Sequence, residues 1–96
     1  MEIRKEKFGK LLKEAVSEAS RRSGMSVASV LIGDGVVGST SALSWLYKGQ
    51  VKNIARYFIA MQKIIDFLPP GRRVHYYAEI GKITLGMKFA AQPRQL

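Results

Sequence analysis

Two neighbouring sets of side chains in this 96-residue chain are equipped for recognition chemistry. The first is Ser39, Thr40, Ser41, Ala42 and Trp45. Hydroxyls donate and accept hydrogen bonds and a methyl can meet the methyl of thymine, so such a set can face base edges. The second is Lys48, Gln50, Lys52, Asn53 and Arg56, which follow directly and could grip a phosphate backbone. Their competing reading is an ordinary solvated charged face. None of the first five is Arg, Asn or Gln, the side chains that separate bases most strongly. Direct readout through them is therefore expected to be modest, with duplex shape and phosphate contacts supplying the rest.

Other chemistry finds little support. His75 is the single histidine and the acids are scattered singly, so neither a carboxylate pair nor metal-ligand spacing arises. There is no cysteine, which excludes disulfides and thiolate metal sites and fits a cytoplasmic setting. Gly33-Asp34-Gly35-Val36-Val37-Gly38 matches the spacing of a dinucleotide-binding turn. That turn needs a sheet around it and a carboxylate about 20 residues on, where this chain has only Asn53 to Ala60. The match is read as accidental. The expectation is a protein that is not an enzyme, with no cofactor, metal or small-molecule ligand.

Sixteen Lys and Arg against seven Asp and Glu give a net charge of +9. An excess of that size points to a polyanionic partner, nucleic acid before an anionic membrane surface. A hydrophobic fraction of 47% with 24% charged residues is that of a folded globular chain. From Ser23 to Tyr47 the only charge is Asp34, but the many Ser, Thr and Gly residues there cannot offset a central aspartate in lipid. No transmembrane segment or signal-peptide core is expected.

Periodicity then supplies the elements that must hold these residues. Phe8, Leu11, Leu12, Ala15, Val16 and Ala19 form one stripe of a helix from about Lys5 to Ser20, with Lys7, Lys10, Lys13, Glu14 and Glu18 opposite. Ser26 can cap a short second helix that buries Val27, Val30 and Leu31 and stops at Gly33-Asp34-Gly35. A third runs from about Ser39 to Lys48. Leu43 and Leu46 share its buried side, so residues 41, 42 and 45 are expected to face away. Tyr47 is expected inside; Trp45 suits either a core or a surface position. Ile54, Tyr57, Phe58, Met61, Ile64, Ile65 and Leu68 mark a fourth helix, ended by Pro69-Pro70-Gly71.

Beyond Arg73 the pattern alternates. Val74, Tyr76, Ala78 and Ile80 share one face, as do Ile83, Leu85, Met87 and Phe89, with Gly81-Lys82 between them. This predicts a β-hairpin whose apolar face is too large to stay wet. Val74, Tyr76, Ile80, Ile83, Leu85, Met87 and Phe89 would then form a dimer contact; the competing role is a wing with Lys82 at its tip. The expected fold is mainly α: a four-helix helix-turn-helix domain in residues 1–70, a hairpin in 71–91 and a frayed tail in 92–96.

Four helices with a polar-faced third resemble the helix-turn-helix regulators of the phage lambda-repressor and Cro-like group, chiefly through Ser41-Ala42-Leu43-Ser44-Trp45-Leu46-Tyr47-Lys48-Gly49. Ala28 matches the small residue that family carries early in its second helix. Residues 33–38 are longer and richer in glycine than the family's turn. The resemblance implies a DNA-binding transcription regulator or repressor of a phage, plasmid or other mobile element, a homodimer on double-stranded DNA. It places residues 39–42 and 45 in the major groove. The alternative is a small basic protein-interaction module that inhibits or adapts a nucleic-acid enzyme.

Overall fold

A computed structural model describes the backbone of residues 2–91 and the side chains of residues 5–83. Among the described residues five helices follow one another: α1 (Glu2–Ser23), α2 (Val27–Gly33), α3 (Thr40–Tyr47), α4 (Ile54–Ile65) and α5 (Pro70–Ala91). The protein is mainly α, and the described residues contain no strand.

The long α1 is the spine, and each of the other four helices packs against it. Its stripe of Phe8, Leu11, Leu12, Ala15, Val16 and Ala19 is buried, as the three-and-four spacing requires. Gly24 ends it with φ of +74° while donating its N–H to the Ser20 carbonyl at 2.9 Å, the left-handed cap that glycine adopts without strain. Ser26 caps α2, accepting from the Ser29 N–H, and Ser39 caps α3, accepting from the Ala42 N–H at 3.2 Å. The long turn between them is not loose: Val37 is buried, and the Val36 N–H bonds the Leu31 carbonyl at 3.0 Å. Because Val30, Leu31 and Ile32 lie within α2, the G-x-G-x-x-G spacing joins two helices rather than opening from a strand.

Helix α4 is shorter than the apolar stripe suggested. It stops at Ile65, and Phe67 and Leu68 turn off it through bonds to the carbonyls of Ile64 and Ile65. The prolines do not end it. Pro70 instead starts the next helix, at the first helical position, where its missing N–H costs nothing and its φ is already helical.

The predicted β-hairpin is not formed: residues 70–91 are one helix, α5. Tyr76, Ile80 and Ile83 recur by four and three, so they line one side of a helix as readily as one face of a pair of strands. The tertiary contacts select the helix. Arg72 and Tyr76 both reach the Glu18 carboxylate on α1. Residues four apart lie about 6 Å apart along a helix but about 13 Å along a strand, too far for one carboxylate. Gly81 stays inside α5, a cost of only about 1 kcal/mol.

That change also revises the predicted dimer contact. Tyr76 is buried in the protein's own core, and Ile80 and Ile83 pack partly against it. Only Val74 of the described set is open, at 67% exposure. The side chains of Leu85, Met87 and Phe89, and the tail 92–96, lie outside the described residues. The wing is lost with the hairpin: Lys82 sits on the helix surface, paired with Glu79 at 3.2 Å.

Candidate nucleic-acid interface

Helix α3 is eight residues long and is held by its back. Leu43 and Leu46 are buried against the core. Gly9 lets α1 come so close that a side chain there would strike the carbonyls of Leu46 and Tyr47. Gly49, at φ +75°, turns the chain away and packs so tightly that a Cβ would lie 2.7 Å from Glu6 Cα. A short helix seated this rigidly can present its outer side at a defined angle.

That outer side holds Ser39, Thr40, Ser41 and Trp45, all exposed. Trp45 is 53% open, so the sequence's two options for it resolve toward the surface. Ala42 departs from expectation: it is half-buried and packed on the core. The reason is its register, since residue 42 lies one turn from Leu46 and shares that side of the helix. Ser39 already spends its oxygen on the helix cap. Tyr47 is half-buried as expected, its hydroxyl pKa raised by burial, with the Lys13 ammonium 6.0 Å above its ring.

Lys48, Gln50, Lys52, Asn53 and Arg56 are all exposed. They occupy the C-cap of α3, its linker to α4 and the first turn of α4. Val51, in the middle, is clamped by the buried Tyr57 hydroxyl, which accepts from its N–H at 3.1 Å and donates to its carbonyl at 3.2 Å. Asn53 has a structural task too, because its Oδ1 caps α4 by accepting from the Ala55 N–H at 3.0 Å. The turn before α3 is tied to α4 by an Asp34–Lys63 ion pair at 3.4 Å.

Two further lysines adjoin the site that the linear pattern did not point to. An open depression of about 500 Å³ at the end of α3 is lined by Glu6, Lys10 and Lys13 of α1 together with Ser44, Tyr47, Lys48 and Gln50. In the sequence Lys10 and Lys13 belong to a solvated helix face some 35 residues away. No local signal marks them.

The structure also buries a carboxylate that periodicity placed on the solvent side. Glu18 accepts two bonds from Arg72, at 2.7 and 3.0 Å, one from Tyr76 at 2.9 Å and one from Arg22 at 2.9 Å. The Arg72 bonds lower its pKa to about 2 against the opposing effect of burial, with Tyr76 and Arg22 assisting. Burial and the bond to Glu18 push the Tyr76 phenol up to about 12. The cluster clasps α5 to α1. Arg22 lies one turn along the same helix, whereas Arg72 and Tyr76 come from α5.

Among the described residues no group of His, Asp and Glu is arranged to hold a metal ion, and no helix is long and apolar enough to cross a membrane. The sequence matches no protein-family model, and neither a curated protein nor a solved structure is significantly similar to it.

Proposed function

We propose that this chain is a sequence-specific double-stranded-DNA-binding regulator of transcription, cytoplasmic, non-enzymatic and acting as a homodimer. In this reading α2 and α3 are a helix-turn-helix and α3 enters the major groove. The observation that carries it is the split of α3: Leu43 and Leu46 anchor one side, while Ser41 and Trp45 stand open on the other. Exposed Lys48, Lys52 and Arg56 follow within one linker and one turn. A polar helix face beside a basic rim, in a chain of net charge +9, matches the sugar-phosphate backbone and base edges of a duplex. Lys10 and Lys13 extend the basic rim on the α1 side. Readers as weak as serine argue for two copies on a repeated site, since one short helix cannot supply enough discrimination.

The test uses the single tryptophan of the chain. Titration with random-sequence duplex DNA at two salt concentrations should change Trp45 fluorescence, and affinity should fall steeply with salt. A sequence preference selected from a random pool supports the regulator. Absence of DNA binding at low salt points instead to the small basic module that docks on a nucleic-acid enzyme.

A further inference from the structure

The exposed ridge of α1 has a depression on each flank. One is the depression it shares with the end of α3. On the other flank an open depression of about 600 Å³ is lined by Lys10, Lys13, Ser17 and Arg21 of α1 and by Arg72 of α5. Spacing explains the α1 side. Lys13, Ser17 and Arg21 recur every four residues and Lys10 stands three before Lys13, so all four project from one face over about 16 Å of helix. All four are exposed.

The two acids of the lining are Glu14 and Glu18. Glu18 is committed: its oxygens accept four bonds from Arg72, Tyr76 and Arg22, and two arginines match its charge. Lys10, Lys13 and Arg21 form no ion pair among the described residues. Only Glu14 stands against these three cations in the lining, a local excess of two positive charges. Arg72 meets Glu18 through Nε and Nη2, which leaves Nη1 outside that pair, and its side chain stays 40% exposed.

We propose that this cleft between α1 and α5 binds a phosphate group. A carboxylate presents two oxygens in one plane. A phosphate presents strong acceptor oxygens in several directions and carries up to two charges, which suits donors arriving from successive turns of α1 and from α5 together. The group has two possible sources, a small phosphorylated solute or a nucleic-acid backbone. Lys10 and Lys13 line this cleft and the depression at α3 alike, so a backbone held at α3 could continue into it. The site itself does not depend on the DNA-binding reading.

Inorganic phosphate is the probe for the first source, titrated into the isotope-labelled full chain against chloride at constant ionic strength. Saturable NMR shifts are expected at the Ser17 and Arg21 amides and the Arg72 Nε–H, with a Kd of about 1–10 mM, the reach of two or three exposed charge-assisted bonds. Arg21→Gln should weaken binding about three- to tenfold and Ser17→Ala less. Both positions are exposed, and far-UV circular dichroism checks that the variants fold. Duplex DNA is the probe for the second source: Arg21→Gln should lower the salt slope by about 1. Lys7→Gln removes a charge from the same helix outside this cleft and should move neither readout.

Saturable phosphate binding with an unchanged DNA slope supports the site and assigns it to a small solute. A lowered slope without inorganic-phosphate binding supports it and assigns it to the backbone. Phosphate binding by a chain that ignores DNA supports the site while the DNA-binding reading fails alone. Shifts that chloride reproduces, or that survive both substitutions, together with an unchanged slope, overturn the proposal. So does a Lys7→Gln effect as large as that of Arg21→Gln.

Discussion

The Tyr57 hydroxyl holds both backbone groups of Val51, accepting from its N–H at 3.1 Å and donating to its carbonyl at 3.2 Å. Tyr57 is fully buried on α4, and Val51 is the midpoint of the exposed linker that carries Lys48, Gln50 and Lys52. A core side chain thus sets the path of the basic segment, linking packing to the spacing of the cations.

Tyr57→Phe should keep the ring in place and remove the clamp. Two backbone groups lose their partner, a cost of about 1–2 kcal/mol in urea unfolding. If the linker must be rigid to meet phosphates, DNA affinity falls as well, although no charge has changed. A variant of lower stability and unaltered affinity would show that the linker's path does not matter to binding.

Replacing Lys48, Lys52 or Arg56 by Ala should weaken binding about equally on every sequence and lower the salt slope by about 1 each. Lys10→Ala and Lys13→Ala should do the same if the α1 side of the depression meets the backbone. An unchanged slope for a given variant removes that residue from the interface.

Helix α3 offers a paired test. Ser41 is exposed, so Ser41→Arg should fold normally and shift sequence preference, arginine being the strongest reader of guanine. Leu43 is buried, so Leu43→Ala should cost about 2–5 kcal/mol. Operator choice unmoved by Ser41→Arg would take α3 out of the groove.

The Glu18 clasp makes stability depend on acid. The folded-state pKa is lowered from 4.5 to about 2, so the folded carboxyl binds its proton less readily than the unfolded one. Its stabilisation is complete above the ordinary carboxylate range and is lost as pH falls from about 4.5 through about 2. Glu18→Gln should lose about 1–3 kcal/mol at neutral pH. Its stability should also fall less than that of the wild type between those two pH values, measured by urea midpoints. Equal acid sensitivity in both would place the titrating group elsewhere.

Much of this protein is determined locally. The stripe of α1, the Ser26 cap and the glycine stops are short-range consequences of spacing and backbone chemistry, and they appear in the structure where the residues put them; the stripe of α4 does so only in part, since Phe58 is left exposed and Leu68 lies beyond the helix. The division of α3 into an anchored and an open side was legible for the same reason, because Leu43 and Leu46 three residues apart must share a face. The local rule was too coarse for Ala42, which a single turn sets beside Leu46.

Residues 74–83 were decided by tertiary structure. Their apolar positions satisfy both an alternating and a helical period, so composition leaves the choice open. The choice is made by Glu18, whose carboxylate gathers Arg72 and Tyr76 from 54 and 58 positions away. The placement of Lys10 and Lys13 beside the end of α3 arises in the same way. Each joins segments far apart in the chain, and the periodicity of one segment holds no information about the partner it will meet.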